Sequence, residues 1–148
     1  MEAEWGPGAL RDFARYAYPI SDDVWCMWSN DPADWRPVNH SCDPNCWFGG
    51  AWTVVGESVV LHPNPAEHHR MDVYARKPIA RGEPITLEYA TFATDFEAFD
   101  CTCGAQGCRG RVAPSDLVSG RVLPAYGTRV SAYVQRWVHK QSSGPWQG

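Results

Sequence analysis

Three cysteines fall within eight residues in the run CTCGAQGC, at positions 101, 103 and 108. The glycines between them let the backbone fold tightly, so that successive sulfurs converge on one point. No regular helix or strand accommodates such a stretch. Either a disulfide framework or a metal explains it. Zinc takes four ligands at the corners of a tetrahedron, with thiolates about 2.3 Å away. Three local cysteines leave one corner open, and Cys42, Cys46 and Cys26 are candidates to fill it, with His40 behind them. A closed four-thiolate site has no position for water or substrate, so its metal would staple the chain rather than react.

The redox compartment separates metal from disulfide. The first twenty residues show no basic start followed by an apolar run, so no secretory signal is visible. No segment reaches the roughly 18 apolar residues that span a bilayer. An intracellular protein, nuclear or cytoplasmic and not secreted, is therefore expected, and thiols there are usually reduced. Six cysteines in that setting point to metal first. A formal charge of −4 argues against a dedicated nucleic-acid binder and suits a basic peptide partner.

With 148 residues the chain fits one domain and can bury a core without covalent staples. Residues 1–37 are irregular, broken by Gly6, Pro7, Gly8, Pro19, Pro32 and Pro37, with a short helix around Leu10 to Tyr16. WTVVGESVVL predicts two β-branched strands turning at Gly56-Glu57. MDVYARKPIARGEPITLEYATF predicts a strand, a turn at Arg81-Gly82-Glu83, and a second strand. Val130, Tyr133, Val134, Trp137 and Val138 recur at helical spacing, predicting one amphipathic helix near the C-terminus whose stripe packs on the core. The expected fold is mainly β with a C-terminal helix.

Three pieces in order carry a more specific signal: NHSCDPN at 39–45, GEPITLEY at 82–89 and CTCGAQGCRG at 101–110. Together they resemble the C-terminal half of a SET domain with its post-SET zinc motif, the protein-lysine methyltransferase family. The resemblance covers roughly residues 18–112 and implies a SET-like β-fold in which NHSC is threaded against the GExxTxxY strand as a pseudoknot. It divides the chain into a SET domain over 1–100, the post-SET zinc motif over 101–112, and a C-terminal helical extension and tail over 113–148. Because 38 residues precede Asn39, and Trp5-Gly6-Pro7-Gly8 is a poor glycine-rich cofactor segment, the SET domain is expected to be truncated at its N-terminus.

The resemblance also implies roles residue by residue. Asn39 and His40 would hold S-adenosylmethionine, Arg36 would support them, and Val112 would cover the adenine. Tyr89 falls on the catalytic tyrosine. Cys42 would be the fourth zinc ligand beside Cys101, Cys103 and Cys108, leaving Cys46 and Cys26 as free thiols. Leu87 stands where members usually carry Phe or Tyr, a position that tunes how many methyl groups are added. The partner implied is a protein or peptide with a lysine, such as a histone tail. Trp47 and Trp52 are suited to an aromatic lysine channel, though ordinary packing accounts for each of them as well. Two functions follow: an active lysine methyltransferase, or an inactive SET remnant serving as a zinc-stabilised interaction module.

Overall fold

A computed structural model describes residues 8, 13, 16–19, 24–27, 38–49, 52–55, 58–61 and 72–142. Arg36, the polar loop at 62–70, the side chain of Trp52 and most of the expected Leu10–Tyr16 helix lie outside the described residues. The described architecture is a set of small two-stranded sheets followed by a C-terminal helix. β1 (Ala17–Pro19) pairs antiparallel with β2 (Trp25–Met27), and β4 (Cys46–Phe48) pairs antiparallel with β7 (Val73–Ala75). β5 (Trp52–Val55) and β6 (Ser58–Leu61) form the expected hairpin, with Val54 opposite Val59 and Val55 opposite Ser58. β-branched residues on facing strands favour such a ladder.

The pairing that positions the site is β3 (Asn39–His40) running parallel to β8 (Thr86–Leu87), with Asn39 opposite Thr86 and His40 opposite Leu87. Ser41 extends it, its N–H donating to the Leu87 carbonyl at 3.0 Å. The second strand read from GEPITLEYATF is thus shorter than expected. It stops at Leu87 and gives way to a 3₁₀ turn over Tyr89–Thr91, which Glu88 caps by accepting from the Ala90 N–H. The strands at 73–75 and 86–87 do not pair with each other; each takes a partner from the 39–48 segment. A second difference concerns the cysteine run. Its interior is irregular, but its flanks form β9 (Phe99–Asp100) and β10 (Arg111–Val112), paired antiparallel with Phe99 opposite Val112.

Two large apolar clusters make most of the core, with a small one at Ala132 beside Trp47 and Tyr74. Tyr18, Cys46, Phe48, Leu87, Phe92 and Ala93 form the first, and Ala90, Leu117, Val122, Tyr126, Val130 and Val134 the second. The turn at 89–91 lies where they meet, since Leu87 and Phe92 face one and Ala90 the other. The second cluster is closed by α1 (Leu123–Tyr126) and α2 (Ala132–Ser142). α2 starts two residues after Val130 because the Ser131 hydroxyl accepts from the Val134 N–H at 3.2 Å, an N-cap. The Val130–Val138 stripe therefore packs inward, as its spacing implies.

Trp47 belongs to this packing rather than to a channel. Its ring lies between the guanidinium groups of Arg76 and Arg129, 5.2 and 5.0 Å from the centroid, with Tyr126 edge-on at 5.3 Å. Gly49 is required where it stands. A Cβ there would meet the Tyr74 ring at 2.7 Å and the Asp72 carbonyl at 3.0 Å.

Asn45 ties the NHSCDPN loop to GEPIT. Buried, it donates through Nδ2 to Glu83 Oε1 and the Pro84 carbonyl, both at 2.9 Å, and its Oδ1 accepts from the Thr86 N–H at 2.9 Å. Asn45→Ala strands these groups and is expected to cost about 2–3 kcal/mol. A lowered denaturation midpoint with an unchanged slope is the measurement that checks it.

Candidate functional site

β3 delivers Asn39 and His40 to one wall of a cleft of about 790 Å³. Tyr89 reaches the same cleft from the turn after β8, and Phe96, Phe99, Tyr16 and Tyr18 supply aromatic surface around it. Glu97 and Asp100, both exposed, are among the lining residues, and the Asp100 carboxylate pairs with Arg111 at 3.0 Å. The cleft is thus apolar and aromatic with a few convergent polar groups, as small-molecule and side-chain sites generally are.

The Tyr89 hydroxyl donates to the Val38 carbonyl at 2.9 Å. Its ring makes edge contacts with His40, Phe92 and Phe99, at 5.3, 5.7 and 5.9 Å between centroids. Burial raises the phenol's pKa, against a lowering by the His40 backbone, so the group stays protonated beyond the usual tyrosine range. A neutral phenol with its proton engaged on a carbonyl keeps an oxygen lone pair for a donor entering the cleft.

His40 turns both ring nitrogens toward protein. Nδ1 accepts from the Tyr89 N–H at 3.4 Å and lies 3.6 Å from Glu88 Oε1, while Nε2 lies 3.4 Å from Cys42 Sγ. An accepting Nδ1 places the proton on Nε2, facing the sulfur. Burial first, and then the Arg109 charge, lower its pKa to about 4, with Asp116 opposing. The imidazole therefore bridges the strand to the cysteine cluster, a role beyond the cofactor contact its motif implies.

The sulfurs of Cys42, Cys101, Cys103 and Cys108 all lie within 4.8 Å of one another. Four thiol donors in that space suit one tetrahedral metal ion of the zinc type. The surrounding backbone favours thiolates, since the Arg109 N–H donates to Cys42 Sγ at 3.4 Å and the Cys42 N–H to Cys103 Sγ at 3.5 Å. The Cys101 N–H, bonded to the Gly110 carbonyl at 2.7 Å, closes the loop. Gly104 and Gly110 adopt φ of 73° and 71°, which only glycine takes without strain. Cys46 is buried in the first core cluster and Cys26 packs against it, so neither joins the four.

Val112 is fully buried and stands opposite Phe99 in the β9–β10 ladder, and Leu87 is 1% exposed and packed in the core.

Motif reading missed a buried ionic cluster beneath Tyr89. Arg109 donates from its two terminal nitrogens to Glu88 Oε2 and Oε1 at 2.7 and 2.9 Å, and from Nε to Asp116 Oδ2 at 3.0 Å. Burial alone would lower the guanidinium's pKa, but Glu88 first, and then Cys42 and Asp116, more than reverse this and hold it charged. Nothing in spacing pairs Arg109 with a glutamate 21 residues upstream. The one local signal is a basic residue directly after the last cysteine.

Residues 8–90 match the SET domain family. Curated relatives point the same way. The chain is 37% identical over 75 residues to "Histone-lysine N-methyltransferase SETD1" of Drosophila melanogaster, covering 51% of this chain and 4% of that protein. It is 36% identical over 94 residues to "Histone-lysine N-methyltransferase ASHR3" of Arabidopsis thaliana, covering 64% of this chain and 16% of that protein. It is 35% identical over 116 residues to "Histone-lysine N-methyltransferase ash1" of Drosophila melanogaster, covering 78% and 4%. The chain thus spans a small part of each of these much longer proteins.

Proposed function

The chain belongs to the SET domain family, and from that premise we propose that it is a protein-lysine methyltransferase acting on a basic peptide such as a histone tail. The observation that carries this is the Tyr89 hydroxyl, held at 2.9 Å on the Val38 carbonyl inside an aromatic cleft shared with Asn39 and His40. The relatives named above, all histone-lysine N-methyltransferases, support the substrate class. A histone substrate would place the protein in the nucleus; among the described residues no helix is long and apolar enough to cross a membrane.

S-adenosylmethionine, when bound, supplies the electrophilic methyl group. Asn39 and the His40 backbone would hold it from β3, with Arg36 and Val112 as the further members of the set that the family resemblance implies. Cys42, Cys101, Cys103 and Cys108 would hold one structural zinc ion, which fixes the cleft wall formed by Cys101 and Cys103. The remaining work is done by the chain itself. Glu97, exposed among the lining residues, attracts the basic peptide to the mouth of the cleft. Aromatic walls disfavour the ammonium form, so the lysine loses its proton before reacting. The Tyr89 oxygen and the Val38 carbonyl then present acceptors that align the amine for in-line displacement. Burial holds the phenol protonated, so Tyr89 ionisation sets no alkaline limit below the ordinary tyrosine range.

The test uses the full zinc-loaded chain with methyl-labelled S-adenosylmethionine and a lysine-containing histone-tail peptide. Label on the lysine side chain is the expected result. A protein that neither binds the methyl donor nor labels any peptide would instead be an inactive remnant, and the proposal would fall.

A further inference from the structure

Arg109 stands directly after the last cysteine of the cluster, and its guanidinium is engaged by carboxylates. It grips both oxygens of Glu88 and one of Asp116, and the side chains of these three residues are 12%, 0% and 7% exposed. Glu88 is the residue before Tyr89. Its carboxylate accepts from the Ala90 N–H at 3.3 Å and its carbonyl from the Thr91 hydroxyl at 2.6 Å, so it holds both ends of the turn that carries Tyr89. The backbone of Arg109 meanwhile donates to Cys42 Sγ. One residue thus touches the cysteine cluster with its main chain and the base of the tyrosine turn with its side chain.

We propose that Arg109 is a positioning residue for Tyr89, its fork locking Glu88 and thereby aiming the phenol at the Val38 carbonyl. This role rests on the methyltransferase function proposed above. Stability alone is a weak reason for the arrangement, because buried ion pairs contribute little relative to apolar packing of similar volume. What a bidentate guanidinium does supply is orientation, since both oxygens of Glu88 are fixed in one plane. Lysine keeps the charge but offers a point donor, and cannot reproduce that plane.

Arg109→Lys and Arg109→Gln in the full chain test this. Both are expected to keep one zinc per chain and to bind S-adenosylmethionine within about threefold of the parent, while kcat on the lysine peptide falls about 100-fold with KM little changed. The ¹⁹F resonance of 3-fluorotyrosine at position 89, assigned by its loss in Tyr89→Phe, is expected to shift or broaden in both. Should Arg109→Gln fail to fold, Arg109→Lys decides alone. A parental kcat with an unmoved Tyr89 resonance overturns the proposal. So does loss of zinc in parallel with activity, which would make Arg109 a prop of the metal loop only. If the parent transfers no methyl to lysine, the methyltransferase assignment fails by itself, and the Tyr89 resonance in the zinc-loaded variants then decides the role of Arg109.

Discussion

Cys42→Ala releases the metal and unfastens residues 101–112 before any other part of the chain. Structural zinc sites contribute roughly 10–16 kcal/mol at neutral pH, and one thiolate of four is not replaced by a methyl group. Cys42 is the only member of the four that comes from the NHSCDPN loop, so its loss removes the sole sulfur bridge between that loop and the CTCGAQGC run. Hydrogen exchange should show protection lost first across the loop from Cys101 to Val112, whose ladder of Phe99 and Val112 is only two residues long on each side. Cofactor affinity should then weaken by about tenfold, the scale of losing an orienting partner. The route is short, since His40 Nε2 faces Cys42 Sγ at 3.4 Å. Zinc stoichiometry, exchange and a cofactor titration measure the three steps. Cys46→Ala is the control: that thiol is buried in the core but outside the cluster, so the variant should keep its zinc. A zinc-free Cys42→Ala with parental protection would contradict the assignment of the metal site.

Tyr89→Phe has the other large effect, and it falls on rate rather than on stability. The substitution removes one hydroxyl and one hydrogen bond to the Val38 carbonyl. The ring contacts with His40, Phe92, Phe96 and Phe99 remain available to phenylalanine. The stability change should therefore stay near 1 kcal/mol, the net value of a single hydrogen bond. Methyl transfer should fall by about 10²–10³-fold, the usual cost of deleting one preorganised group at a reacting centre. Single-turnover kinetics together with a thermal melt separate the two quantities. Equal transfer by Tyr89→Phe and the parent would remove Tyr89 from the chemistry.

How far these sites were visible in the residues themselves depended on the range over which each signal acts. The cysteine run was legible because glycines and thiols at short spacing leave few alternatives. The hairpin at 52–61 and the helix after Val130 were legible because alternation and helical periodicity are local. The short reach of β8 was not. Thr86, Tyr89 and Thr91 favour strands, but Glu88 is held by Arg109 and caps a 3₁₀ turn instead. Tertiary charge pairing there outweighs strand propensity. Trp47 was equally opaque, because a tryptophan suits an aromatic channel and an arginine stack alike, and only Arg129, 82 positions onward, decides between them.

The two halves of the cysteine cluster also set an order of assembly. Cys42 and Cys101 have sulfurs 3.9 Å apart but stand 59 residues apart in sequence. At roughly 5–20 residues per second of synthesis, Cys42 leaves the ribosome roughly 3–12 s ahead of its partner. The parallel pairing of Asn39–His40 with Thr86–Leu87 is deferred in the same way, since loop closure over such distances precedes any gain from contact. During that interval the loop carries Cys42 as an uncommitted thiol, with Cys46 four residues further on. Closure of the four-sulfur cluster therefore waits for the emergence of Cys108, and the cleft wall carrying Cys101 and Cys103 is fastened only after that.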